Sequence, residues 1–318
     1  MKRLTLHDVH DVSGAQWGAL ADRELVMRRT SPQGEDAAAR QGAALFDASF
    51  RDVLSIRGAD RVSFLQGMLT QDVAGLALGH CAPAALLTPK GGLVAEGEVW
   101  RQAEAMFIDL EPGAGERMKA ALEAYVIADD VEVSDATADY GVLELWGPRS
   151  GTMAAGAPTR LGELEGVRLL VPRAELAATW AAQVKAGAVP VGFAAREAWR
   201  VEALWPRLGA DMGEGTLPLE VGLDRAISYT KGCYVGQEVV ARTTYRGHVN
   251  WKLGALDLGP EPVAVGAAVL QQGQEVGRVT SVANSVARGR HLALARLNRK
   301  VLVAGTVVEV EGRAAQVQ

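Results

Sequence analysis

The twelve residues from Lys231 to Arg242, Lys-Gly-Cys-Tyr-Val-Gly-Gln-Glu-Val-Val-Ala-Arg, gather a thiol, two glycines, cations, an amide and a carboxylate. A thiol is nucleophilic only as the thiolate, and that form is favoured beside a cation such as Lys231 or Arg242, or at a helix N-terminus. The run Gln237-Glu238-Val239-Val240-Ala241 can begin such a helix. Gly232 and Gly236 bracket Cys233 and let the backbone bend sharply or approach a ligand closely, because glycine has no Cβ. The competing role for Cys233 is that of a small buried hydrophobe, since free cysteine is among the most buried residue types. Cys233 and Lys231 are the candidate catalytic residues. His248 lies fifteen residues after Cys233, but closeness in sequence does not place two side chains in reach of each other.

The elements that must position this segment follow from periodicity. Asp52–Arg57 alternates as a strand with Leu54 and Ile56 on one face. Val62, Leu65, Met68 and Leu69 recur at helical spacing, so a helix over 59–69 packs back onto that strand. Strands at 84–87 and 93–100 are joined by Thr88-Pro89-Lys90-Gly91-Gly92, a tight-turn composition. A strand at 106–110, a helix with Met118, Leu122 and Tyr125 on one face and a strand at 142–146 complete a split βαβ layer. The middle of the chain repeats the theme, with a strand at 167–171 and a helix carrying Leu176, Trp180 and Val184. A helix over 193–204 stops at Trp205-Pro206. Residues 1–50 carry weaker signals: one or two short helices, with a break at Ser31-Pro32-Gln33-Gly34. After Val249 short glycine-separated strands near 253–258, 264–270, 275–282, 292–297 and 307–310 suggest a small Greek-key barrel. The expected division is 1–245 and 246–318.

With 318 residues there is length for two or three lobes with cores of their own. Hydrophobic content of 48%, charged content of 22% and a net charge of −5 describe an ordinary globular chain. Residues 246–318 carry nine Lys/Arg against five Asp/Glu, an excess of +4 that is too mild to predict RNA binding from charge. The two cysteines, Cys81 and Cys233, form no disulfide framework, so a reducing, cytoplasmic setting is expected. No stretch reaches a membrane span, and no Cys-x-x-Cys or His-x-x-x-His pair supplies a metal site.

The run Lys231-Gly232-Cys233-Tyr234-Val235-Gly236-Gln237-Glu238 resembles the signature of YgfZ-type folate-binding proteins, relatives of the glycine-cleavage T-protein (aminomethyltransferase). Ala44-Leu45-Phe46-Asp47, Phe64-Leu65-Gln66-Gly67, Leu69-Thr70-Gln71-Asp72-Val73, Leu87-Thr88-Pro89-Lys90-Gly91, Arg200-Val201-Glu202-Ala203 and Val276-Gly277-Arg278-Val279-Thr280-Ser281 resemble further blocks of that family in the same order. The resemblance implies an α+β fold: ferredoxin-like α/β layers around a central folate channel, with a C-terminal Greek-key barrel. It implies tetrahydrofolate, or a one-carbon folate, as the cofactor. Glu202 matches the family's pterin position, where a fixed carboxylate accepts the adjacent N–H groups of the 2-amino substituent and N3. Arg200, Trp199, Tyr234, Gly236, Gln237, Glu238 and Arg242 are the further candidate cofactor-binding residues. A solvated glutamate and a core tryptophan are the ordinary alternatives for Glu202 and Trp199.

One departure bears on activity. The family carries two aspartates on the strand after the Gly-Gly turn, the first of them catalytic; here Gly91-Gly92-Leu93-Val94 runs into Ala95-Glu96. A methyl group cannot carry a proton, and neighbouring strand residues face opposite sides, so Glu96 should face away from Ala95. These features favour a folate-dependent accessory protein over a true aminomethyltransferase. The role that the resemblance implies is support of iron–sulfur cluster assembly or repair and, through it, tRNA modification. Iron–sulfur enzymes or assembly proteins would be the partners, with tRNA contact unsupported by charge. The alternatives are a one-carbon transferase using Glu96 or Asp72, and a non-catalytic docking module for tRNA or a modification enzyme.

Overall fold

A computed structural model describes residues 1–245 and 247–318, and these fall into two compact units. The first comprises 1–87, 94–196 and 226–235; the second comprises 88–93, 197–225 and 236–318.

The first unit opens with α1 (His7–Asp11), the hairpin β1 (Gln16–Leu20) and β2 (Arg23–Arg28), and α2 (Pro32–Gln41). The hairpin was not expected. Its turn uses Ala21 at φ 52 in place of glycine, so the usual turn composition is missing. Ser31-Pro32 proves to be a helix start: the Ser31 hydroxyl accepts the Gly34 N–H at 3.2 Å, and Pro32 occupies the first turn, where its missing N–H costs nothing.

There follow β3 (Ala44–Asp47), β4 (Asp52–Arg57), α3 (Arg61–Met68), β5 (Cys81–Leu87), β6 (Leu93–Arg101), β7 (Met106–Leu110), α4 (Gly115–Glu123) and β8 (Glu132–Asp135). Next come β9 (Tyr140–Trp146), α5 (Ser150–Met153), β10 (Ala157–Leu161), β11 (Leu164–Pro172), α6 (Leu176–Lys185), β12 (Val189–Val191) and α7 (Phe193–Glu202). Two five-stranded sheets result, ordered β10-β11-β9-β3-β12 and β5-β6-β7-β4-β8. The pair β12–β3 is parallel. The strand β8 escaped the periodicity because Val133 is its one apolar residue. Two expected core residues lie outside: α4 ends before Tyr125, which is 41% exposed, and Val184 is 39% exposed. One core gathers Leu45, Leu143, Leu145, Leu176 and Trp180, another Val53, Trp100, Phe107 and Ala157.

In the second unit α8 (Gln237–Tyr245) precedes β13 (Trp251–Gly259), β14 (Ala268–Gln271), β15 (Gln274–Ser285), β16 (Arg290–Asn298), β17 (Val307–Val310) and β18 (Arg313–Val317). These strands close into a six-stranded barrel in the order β13-β16-β15-β14-β17-β18. Leu256, Val269, Val279, Ala293 and Val308 fill it. The last strand was missed because its alanines have little strand preference. The helix α7 ends two residues earlier than expected, and Leu204 at φ 54 turns the chain before Pro206 arrives.

Candidate functional site

The first half of the Lys231–Arg242 segment lies in the first unit. The Lys231 ammonium donates to the main-chain carbonyls of Gln66 at 2.5 Å, Leu69 at 2.7 Å and Gln71 at 2.8 Å, at and beyond the C-terminal end of α3. Helix C-termini leave carbonyls unpaired and favour cations. Burial pulls this amine down to about 8, with Asp72 opposing. Three carbonyl acceptors nevertheless match the three N–H donors that only the ammonium form has. The Val235 N–H donates to the Gly67 carbonyl and the Ser228 N–H to that of Thr70, so 226–235 is stitched to the end of α3. Cys233 is exposed; Tyr234 is buried, 5.2 Å below the Lys231 ammonium.

The second half, from Gly236, lies in the second unit. Gly236 has φ 82 immediately before α8, a conformation that a side chain disfavours. Gln237 begins the helix, while Glu238 and Arg242 are exposed.

The turn before β6 belongs to the second unit. The Gly91 N–H donates to the Thr88 carbonyl at 2.8 Å, and the Thr88 N–H to the Gly92 carbonyl at 2.8 Å. Gly91 has φ 77, and a Cβ on Gly92 would come 2.9 Å from Gly215 Cα. Both glycines are therefore dictated by geometry.

On β6, Ala95 is fully buried and Glu96 is 7% exposed. Glu96 and Glu98 share a face, and neither carboxyl makes a hydrogen bond among the described residues. Burial, partly offset by Arg51, pushes the Glu96 carboxyl up to about 8, and Glu98 is raised for the same reason. The nearby arginines are already engaged. Arg51 donates to Asp109 at 2.5 Å and also pairs with Glu111; Arg168 donates to Asp109 and to Glu144, both at 2.7 Å. Trp100 and Trp146 donate their indole N–H groups to Asp109 and Glu144. Burial opposes the charge on Glu144, but Arg196 and Arg168 outweigh it and hold the carboxyl at about 2. This network was missed. Its signal was an acid inside an apolar strand, Ile108-Asp109-Leu110 and Leu143-Glu144-Leu145.

In the second unit the end of α7 is tied to β15. Arg200 is 1% exposed and donates to Glu197, to Asp211 at 2.7 Å, to the Trp205 carbonyl and to Ser281 Oγ at 2.7 Å. Glu202 is half-buried, and its Oε1 accepts a 2.6 Å hydrogen bond from Ser285 Oγ. Trp199 is 1% exposed, within the core. The Arg225 guanidinium lies 4.6 Å over the Trp205 ring. The structure thus brings Glu202, Arg200 and Trp199 onto one helix end, and Lys231, Cys233 and Tyr234 onto one loop. The exposed Arg242 makes no hydrogen bond or ion pair through its side chain among the described residues.

Residues 6–160 match the GCVT N-terminal domain, and residues 252–318 match the glycine cleavage T-protein C-terminal barrel domain. The chain belongs to the glycine cleavage T-protein family. It is 30% identical to an aminomethyltransferase of Rubrobacter xylanophilus, over 93% of this chain and 87% of that protein. It is 28% identical to one of Geobacillus kaustophilus, over 98% and 95%. The crystal structure of glycine cleavage system aminomethyltransferase T from Bartonella henselae has the same fold, with a TM-score of 0.89 at 22% identity, covering 100% of this chain and 96% of that one.

These relatives correct the expected role. They are named as transferases, which overturns the assignment to an accessory protein for iron–sulfur cluster assembly or repair. Neither iron–sulfur partners nor tRNA processing gains support from them, and the YgfZ subtype is likewise replaced by the wider family. The similarity to these transferases extends over 93–98% of the chain, β6 with its Ala95-Glu96 pair included. No helix among the described residues is long and apolar enough to cross a membrane.

Proposed function

We propose that this chain is a folate-dependent aminomethyltransferase that moves a one-carbon unit from an aminomethyl carrier to tetrahydrofolate. Its membership of the glycine cleavage T-protein family and the names of its relatives support the reaction class. The observation that carries the folate assignment is Glu202, a half-buried carboxylate with one oxygen fixed by Ser285 at 2.6 Å. A held carboxylate suits the paired N–H groups of a pterin, since charge-assisted, two-point hydrogen bonding is strong and directional. Folate binding is assigned to residues 1–245.

The transfer carries the methylene carbon to the two folate nitrogens, releases the carrier and ammonia, and leaves both folate N–H hydrogens on those departing groups. A general acid that protonates the departing nitrogen accelerates such a step. Ala95 has no proton to give. Glu96 and Asp72 are the two candidates for the acid: burial raises the Glu96 carboxyl to about 8, so it holds a proton at neutral pH, although its side chain lies on the strand face opposite Ala95. Asp72 is the weaker candidate, because its carboxylate is exposed and accepts from the Gln66 amide and the Gly75 N–H as a turn cap. Incubation with an aminomethyl carrier and tetrahydrofolate should yield methylene-tetrahydrofolate and ammonia in equal amounts. Failure to form either product overturns the assignment.

A further inference from the structure

Glu202 stands at the end of α7, where helix ends are free to fray. Its carboxylate is nevertheless held from the barrel. Ser285 Oγ, on the last residue of β15 and 1% exposed, lies 2.6 Å from Glu202 Oε1. The direction of this bond is fixed by a third group: the Arg288 N–H donates to Ser285 Oγ at 3.2 Å, so the hydroxyl's single hydrogen goes to the carboxylate.

Four residues earlier on the same strand, Ser281 Oγ accepts from Arg200 at 2.7 Å and gives its hydrogen to Asp211 Oδ1 at 2.7 Å. The other Asp211 oxygen accepts from Arg200 at 2.7 Å and from the Arg207 N–H at 3.0 Å. The Arg200–Ser281 bond and the Glu202–Ser285 bond therefore join the last turn of α7 to one barrel strand at two points. The first ties the Arg200 guanidinium, itself ion-paired with Asp211, to the strand. The second acts on the carboxylate itself.

We propose that Ser285 is a positioning residue for pterin recognition: through its hydroxyl the barrel fixes the rotamer of Glu202 before tetrahydrofolate arrives. This rests on the assignment of Glu202 to the pterin. A glutamate has three side-chain torsions to immobilise, and fixing them in advance removes that cost from binding. The hydroxyl touches no reacting atom in this scheme, so it acts on affinity and leaves the chemical step alone.

The test is calorimetric titration of tetrahydrofolate into the full chain and into Ser285→Ala, Ser285→Thr and Glu202→Gln, with the KM for folate and kcat measured beside it. Removing the hydroxyl should weaken binding about tenfold, the scale of one hydrogen bond to a charged group. KM should rise in step while kcat at saturating folate stays put. Ser285→Thr keeps the hydroxyl and should bind within about twofold of the parent, whereas a loss only of general stability would not separate Thr from Ala in this way. Glu202→Gln should bind about a hundredfold more weakly. If Ser285→Ala binds like the parent while Glu202→Gln is impaired, the role of Ser285 is overturned and the pterin assignment stands. If Glu202→Gln also binds like the parent, or the parent binds no tetrahydrofolate, both are overturned. Should Ser285→Ala fail to fold, Ser285→Cys keeps the volume, weakens the hydrogen bond and carries the same comparison.

Discussion

Gly91 presses against Val239: a Cβ on the glycine would fall 2.6 Å from the valine Cβ, closer than two carbon atoms can lie. Gly91 also has φ 77, so an alanine there suffers twice, in its own backbone and in its contact. Gly91→Ala should lose about 1–3 kcal/mol, read as a lower midpoint in urea with an unchanged slope. An unchanged midpoint would show that α8 gives way freely and that this contact fixes nothing.

Glu96 should tie stability to pH and, as the proposed acid, turnover as well. A carboxyl whose folded pKa is raised favours folding fully below its ordinary value near 4.5 and loses that contribution as pH climbs through about 8. Glu96→Gln should therefore stabilise the fold more at pH 8.5 than at pH 5, read as the larger rise in Tm and worth on the order of a few kcal/mol at most, since one pKa unit is about 1.4 kcal/mol. As the acid, Glu96 should also give the parent a kcat that falls above about pH 8. The glutamine variant should lose roughly 10²–10⁴ in kcat and that alkaline limb together. Stability that shifts while kcat does not would remove Glu96 from the chemistry.

Lys231 is worth more as a cross-brace than its single charge suggests. Replacing it with methionine leaves the carbonyls of Gln66, Leu69 and Gln71 without their shared donor, each in a partly buried setting. The expected loss is about 3 kcal/mol, from three hydrogen bonds to a charged group and the carbonyls left unpaired. Limited proteolysis should then open the chain within 226–235 before elsewhere. Cleavage in the same order and at the same rate as in the parent would count against the brace.

The two thiols should separate cleanly under alkylation. Cys233 is exposed, whereas Cys81 is buried and its thiol is pushed far up by that burial, with Glu98 adding to it. A maleimide should modify one site in the folded chain and two in denaturant, with peptide mapping placing the first at Cys233. Modification of Cys81 at a matching rate in the folded chain would mean that β5 opens readily.

Much of this was legible in the residues, and the failures have physical causes. Strand patterning found β4, by its alternation, and β6, β7 and β9, and composition found the turn at 88–92, because both signals are local. Glu202 was singled out by family likeness, but its hydrogen bond with Ser285 was not legible: on a strand a serine near an acid in space leaves no mark in sequence, and the partners are separated by the whole approach to the barrel. The hairpin β1–β2 was missed because Ala21 adopts a glycine-like angle, and β8 because a short edge strand has too few apolar residues to show a period. The accessory role was the largest error, because a single position, Ala95, does not decide function where the likeness runs along both matched domains.

Arg200 directs its five N–H groups to five oxygens, two on Glu197 and one each on Trp205, Asp211 and Ser281. A lysine has three donors and no planar fork, so it cannot inherit this arrangement. Sequence divergence here must consequently step around Glu197, Arg200, Asp211 and Ser281 as a group. A lineage that changes one of the four should be found to have changed its companions, or to have paid in a loosened helix end.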